Sequence, residues 1–222
     1  MATSANTLVF GQLDSWESEG SNKGVGKDDY LNMRTDGKHI LRFITALPFR
    51  FYAHWVEAKN GKKIKVNCAG KDCMLCKSDN PATAKADKLF VSIVFNRDLN
   101  RAQIFEFKPS VFEQLREYNG NKHWGSLINY DVEVDRLKSR GFKTFKVTPL
   151  PKEPLTKEEL ALVAEFSARV DLNRHTAPMD NAGIEERIAK ANGETYVPRS
   201  LVQASIASTT QAVAEDPDFS FT

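Results

Sequence analysis

The sequence predicts a mainly β body followed by a helical C-terminal part, and three observations support that class. Between residues 39 and 148, short runs rich in β-branched and aromatic residues follow one another, separated by turn residues. One run alternates cleanly, with Tyr130, Val132 and Val134 between Asp131, Glu133 and Asp135, as a strand with one buried and one wet face does. After residue 150 the spacing becomes helical and capping residues appear.

Residues 1–28 are rich in Ser, Gly and Asn and read as a flexible arm, with "SEGSNKGVGK" near its end. The expected strands are 39–47, 49–56, 62–67, 88–95, 101–107, 130–137 and 142–148, with "NRDLNR" and "KSRG" as hairpin connections. "PSVFEQLREYN" reads as a helix between the fifth and sixth strands. Its proline suits a first turn, and Val111, Phe112, Leu115 and Tyr118 fall near one stripe. Further on, Thr156 and Glu159 form a capping-box pattern, Asp180 is a second cap and Gly193 a stop, so residues 151–197 are expected to be helical. Residues 198–222 lose apolar bulk, end acidic and read as a mobile tail.

With 222 residues and 41% hydrophobic content, the chain can bury one substantial core with an appendage. The opening "MATSANTLVF" does not have a signal peptide's pattern, and no apolar run approaches the roughly 18 residues of a membrane span, so a soluble cytoplasmic protein is expected. For a phage-encoded chain this means the host cytoplasm. The net charge of +2 conceals an asymmetry. Residues 1–150 hold 24 Lys and Arg against 17 Asp and Glu, whereas residues 151–222 hold 7 against 12. A basic body suits a polyanion, although a mild surplus also suits an ordinary solvated surface.

All three cysteines and one of the four histidines lie in "HWVEAKNGKKIKVNCAGKDCMLCKSDN", residues 54–80. An odd number of cysteines within nine positions makes a poor disulfide framework and suits thiolates that bind metal. His54, Cys68, Cys73 and Cys76 supply one nitrogen and three sulfurs, a complete tetrahedral set for a structural zinc, one per chain. Gly70 lets the chain turn back between the first two cysteines. Four protein ligands close the shell and leave no position for a catalytic water. The deaminase pattern is absent, since Trp55 and Val56 follow His54 and Asp72 precedes Cys73. No Walker loop or nucleophile elbow occurs either. A binding protein is therefore expected, not an enzyme.

Rings and cations interleave around the zinc segment at Arg50, Tyr52, Trp55, Lys62, Lys63, Lys65 and Lys71. Similar material recurs at Arg97, Arg101 and Phe105, and at Arg140 and Lys143. Rings stack on unpaired bases while cations follow phosphates, so single-stranded nucleic acid is the expected ligand. For the rings within alternating strands, a place in the core is the competing explanation.

The order His, Cys, then Cys-x-x-Cys, carried by "FYAHW" and "NCAGKDCMLC" and followed by "NYDVEV", resembles the zinc-containing single-stranded DNA-binding proteins of phages. These are the helix-destabilising proteins of the T-even type and their distant relatives. The resemblance spans roughly residues 30–150. It implies an OB-type β-barrel over 29–150 with a zinc subdomain inserted at about 54–80, and a single strand held in the basic, aromatic-lined cleft between them. It implies a role in phage DNA replication, recombination and repair. The ending "AEDPDFSFT" is similar to the acidic tips with which such proteins dock replication, recombination or transcription enzymes, placing that role on Glu215, Asp216, Asp218, Phe219 and Phe221. The alternative from another class is a zinc-bearing transcription factor that recruits an RNA polymerase.

Overall fold

The computed structural model describes residues 26–33, 37–139 and 142–198. In chain order its regular elements are β1 (Gly37–Phe43), β2 (Phe49–Glu57), β3 (Lys63–Asn67), α1 (Pro81–Ala84), β4 (Asp87–Asn96), β5 (Arg101–Phe107), α2 (Pro109–Asn119), β6 (Val132–Ser139), β7 (Phe142–Pro149), α3 (Lys157–Arg169), α4 (Leu172–Thr176) and α5 (Asn181–Ala191). The class is the expected one, mainly β with helices. The strands form one seven-stranded antiparallel sheet. Among the described residues no helix is long and apolar enough to cross a membrane.

β4 organises the sheet. From Leu89 to Asn96 it is buried without a break, as a strand covered on both faces must be. One edge pairs with β5 along residues 90–96. The other edge is divided, with β2 along residues 87–91 and β1 along 94–96. The sheet therefore forks into a β2–β3 branch and a β1–β6–β7 branch.

The sheet does not close into a barrel among the described residues. Closure would join β5 to β7, and both edges are already engaged. The Leu31 N–H donates to the Ile104 carbonyl at 2.9 Å, and the Gln103 amide donates to the carbonyls of Asp28 and Tyr30, so residues 28–31 cover β5. At β7 the neighbour is α2. The Gln114 amide donates to the Phe145 carbonyl at 3.0 Å and accepts the Val147 N–H at 2.9 Å, much as a strand would, and the Tyr118 hydroxyl donates to the Val147 carbonyl. As its spacing predicts, α2 buries Val111 and Leu115.

On the α2 side of the sheet, Leu41, Phe43, Phe90, Phe105, Val132 and Val134 belong to one core. On the other side Phe51, Val91, Phe95 and Ile104 meet Val163 and Phe166 of α3 and Leu172 of α4. A third, small core joins Val66 of β3, Cys73 and Leu75 to Ile184 of α5. The helices after residue 150 are thus packed onto the body. The Thr156–Glu159 capping box opens α3 as expected, with Thr156 accepting the Glu159 N–H and Glu159 accepting that of Thr156.

Asp131 departs from the alternation that puts it on a wet face. It is buried because Arg42 Nε approaches it at 2.7 Å and Arg97 Nε at 3.0 Å. The Arg42 contact is an ion pair more than an aligned hydrogen bond. Arg97 also pairs with Glu159 at 2.5 Å, and both arginines donate to the Glu153 carbonyl, which ties α3 to the sheet.

Gln114→Ala should destabilise the protein by about 1–3 kcal/mol, the cost of leaving buried backbone groups unpaired. Urea unfolding reads the loss, and hydrogen exchange should quicken at the Val147 amide. Unchanged protection there would show that the Gln114 rung does not support β7.

Candidate metal centre and nucleic-acid face

His54, Cys68, Cys73 and Cys76 bring their ligand atoms within 4.8 Å of one another. The site can hold one metal ion. β2 supplies His54, whose side is set by strand alternation. Arg50, Tyr52, His54 and Val56 share one face, and the cysteine loop covers only the last two. Cys68 follows β3 directly and is held beside β2 by its N–H, which donates to the Tyr52 carbonyl at 2.9 Å. Gly70 then turns the chain at φ +85°, a conformation that suits glycine, and the Cys73 N–H closes the turn onto the Gly70 carbonyl at 3.2 Å.

His54 is fully buried, so both ring nitrogens need partners. Nδ1 lies 2.6 Å from the Thr83 carbonyl, which can only accept, so the proton sits on Nδ1. Nε2 then turns its lone pair to the sulfurs, 3.5 Å from Cys73 and 3.4 Å from Cys76. Thr83 is carried on α1, a short helix opened by an Asn80 cap and Pro81. A carbonyl holding the outer nitrogen of a ligating histidine is the usual way its orientation is fixed.

The sulfurs sit 3.6 Å apart for Cys68 and Cys76. Burial opposes ionisation of the Cys73 thiol, but the N–H groups of Ala69, Cys76 and Leu75 and the Cys68 thiol donate to its sulfur and bring its pKa down to about 7. The Gly70 N–H similarly points at the Cys68 sulfur at 3.4 Å. Cys76, an exposed residue at the edge of the cluster, moves the other way, to about 12, through partial desolvation of its thiol first and then through hydrogen bonding to Cys68 and the charges of Cys68 and Cys73. Three crowded sulfurs cannot all ionise without a counter-charge. A bound cation supplies one.

The residues expected to contact nucleic acid do not form one surface. Arg50 and Tyr52 lie on the open part of the face that carries His54, and both are exposed. Trp55 is also exposed but points to the opposite face, its indole N–H donating to Asp87 at 3.1 Å. Lys65 shares that opposite face and pairs with Glu106, beneath which His175 Nε2 lies 2.7 Å from the same carboxylate. Lys62, Lys63 and Lys71 are exposed, the first two around the β2–β3 turn and the third on the rim of the cysteine loop. Arg101 is exposed at the far end of β5, about 25 Å along the sheet from Tyr52 at roughly 3.3 Å per residue.

Two expectations are corrected. Phe105 is buried in the α2-side core against Phe43 and Phe107, because its alternation faces inward, and it offers no ring to a base. Arg97 is committed to Asp131 and Glu159, as described above. Arg140 and the tail positions Glu215, Asp216, Asp218, Phe219 and Phe221 lie outside the described residues, and Lys143 is described only by its backbone place in β7, opposite Lys138.

Sequence reasoning missed Lys88. It stands directly across from Tyr52, exposed, with its ammonium 5.5 Å from the centre of the Phe90 ring. The signal was its place as the wet residue opening a strand that is otherwise buried. Thr83 was also missed, although "NPATA" carries a cap and a first-turn proline. Among the described residues neither Arg50 nor Lys88 makes an ion pair, so Arg50, Tyr52 and Lys88 form an uncovered strip between the cysteine loop and Phe112 of α2, which stacks on Phe90. No protein-family model, curated protein or solved structure matches the chain.

Because the thiols must ionise to bind, metal uptake by metal-free protein near pH 7.5 should release about two or more protons per ion, read with a pH indicator in weak buffer. Affinity should fall as pH drops and protons compete for the sulfurs. Uptake without proton release would mean that the thiols are not the ligands.

Proposed function

We propose that this protein binds single-stranded DNA without acting on it chemically, and that a structural zinc ion builds one wall of the binding cleft. The observation that carries the reading is the uncovered strip of Arg50, Tyr52 and Lys88 next to the metal loop, with cations and a ring available on one side of the sheet. Cations follow phosphates and a tyrosine ring stacks on any unpaired base.

Zinc is supported by the donor set and by the distances. A tetrahedron with zinc-length bonds has sulfur–sulfur edges of about 3.8 Å and sulfur–nitrogen edges of about 3.6 Å. The Cys68 and Cys76 sulfurs are 3.6 Å apart, His54 Nε2 lies 3.5 Å from Cys73 and 3.4 Å from Cys76, and all four ligand atoms lie within 4.8 Å of one another. His54, Cys68, Cys73 and Cys76 would supply all four ligands of such an ion, which would give it a structural role and leave no position for a catalytic water. His54 and the three cysteines hold the loop beside Tyr52, and the N–H groups around Cys73 favour its thiolate.

The connectivity supports an OB-type body. Taken in chain order without the β2–β3 branch, β1, β4, β5, α2, β6 and β7 have the pairings β1–β4, β4–β5, β1–β6 and β6–β7, four of the five ladders of that barrel. The metal segment then occupies the connection between its first two strands, and the short link from β6 to β7 the connection between its last two. OB folds hold oligonucleotides at those two connections and on the face of their second and third strands; here β4 is covered on both faces from Leu89 to Asn96, so its exposed start at Lys88 and the connections are what stays open. Replication, recombination and repair of phage DNA, in the host cytoplasm, and docking of partner enzymes through Glu215, Asp216, Asp218, Phe219 and Phe221 complete this reading.

Titration of labelled single-stranded and duplex oligonucleotides of one sequence tests it. The single strand should bind more tightly, with little dependence on sequence and a steep fall with salt. Tyr52→Ala should weaken binding by about 1–3 kcal/mol with unchanged melting, and Arg50→Ala or Lys88→Ala should each reduce the salt slope by about one. Trp55→Ala, on the other face, should do much less. Preference for duplex, or a Tyr52→Ala protein of unaltered affinity, would overturn the assignment.

A further inference from the structure

We propose that α5 is a working part of the metal centre, so that docking of this helix and retention of the ion are linked: the ion keeps the C-terminal helix in place and the helix keeps the ion. The proposal rests on reading His54, Cys68, Cys73 and Cys76 as a metal centre and is independent of DNA binding.

One side chain makes the central connection. Asn181, the first residue of α5, accepts the Met74 N–H through Oδ1 at 2.9 Å and donates through Nδ2 to the Asp72 carbonyl at 3.0 Å. Met74 and Asp72 flank Cys73, so a single amide brackets the buried ligand. The helix start that presents this amide is firmly capped, with Asp180 Oδ1 accepting the Gly183 N–H at 2.7 Å. One turn further on, Ile184 is fully buried against Val66, Cys73 and Leu75. At the far end, Asn192 Oδ1 accepts the Lys59 N–H at 2.8 Å, and Lys59 pairs with Glu194, which fastens the helix exit to the β2–β3 turn.

Outside these contacts and β3, each partner has little order of its own. Between Cys68 and Cys76 the chain forms only turns, without a helix or strand of its own. The buried residue of α5 is Ile184, and it belongs to the small core shared with that loop. A segment with so few buried contacts opens at low cost when one of them is lost. If loss of the ion loosens the loop, α5 loses its docking surface, and linkage requires the reverse effect to be equally large.

Competition with a chromophoric chelator, using full-length protein loaded with zinc, tests the link. Asn181→Ala and Ile184→Ala should each lower zinc affinity by about tenfold or more, as loss of groups that orient metal ligands does. Glu186→Gln, exposed on the same helix, should leave it unchanged. Hydrogen exchange on the wild-type protein gives an independent reading: chelation should strip protection from the amides of residues 184–191 and spare those of α2. Wild-type affinity in both variants, or α5 amides equally protected with and without zinc, overturns the proposal. Protein that never retains zinc overturns the metal reading together with this one, whereas zinc held with indifference to α5 overturns this one alone.

Discussion

β4 lends one edge to two strands, β2 beside its first half and β1 beside its second, and most of the architecture follows from that division. A strand buried on both faces can support layers above and below, so α2 packs on one side and α3 and α4 on the other. Because β1 and β2 lie end to end along the shared edge, the outer ends of their branches diverge. One branch continues through β6 and β7 toward α2. The other carries β2 past the end of the α2-side core, where His54 and Val56 need a different cover.

That cover is a small core backed by a His/Cys cluster able to hold a metal ion. Val66, Leu75 and Ile184 make a small core, and Cys73 is part of it. A buried imidazole with both nitrogens engaged, one by a carbonyl and one by sulfurs, holds the strand and the loop in register without much hydrophobic surface. The N–H groups gathered around Cys73 explain how an otherwise apolar pocket can favour a thiolate.

The placement of charges narrows the proposed DNA surface. Arg97, Arg42 and Asp131 form a buried cluster that joins the sheet to the start of α3, and Lys65 serves Glu106 beneath α4. Cations tied up in this way are poor phosphate ligands, since releasing them would leave a buried carboxylate unpaired. Arg50 and Lys88 carry no such commitment. They flank a half-exposed tyrosine next to the metal loop, so the loop's order bears directly on the shape of the strip.

Local chemistry was legible in the sequence. Strand alternation placed Tyr130, Val132 and Val134 inside, the α2 stripe and the Thr156–Glu159 and Asp180 caps were recognisable, and the residue types of His54, Cys68, Cys73 and Cys76 were enough to suggest a shared ion, because each of these depends on neighbours a few positions away or on donor chemistry. What the tertiary structure alone decided depends on which edges and faces meet. Alternation assigns residues to two sides of a strand but does not say which side is covered, so it put Tyr52 and Trp55 on opposite faces without showing which face stays open, and it did not foresee that Phe105 faces α2. Pairing partners more than a hundred residues apart, such as Asn181 with Asp72 and Met74, leave no periodic trace. Nor does the edge of β7, where a glutamine of α2 stands in place of a strand, because one side-chain amide matches a backbone rung only after the helix has been set against it.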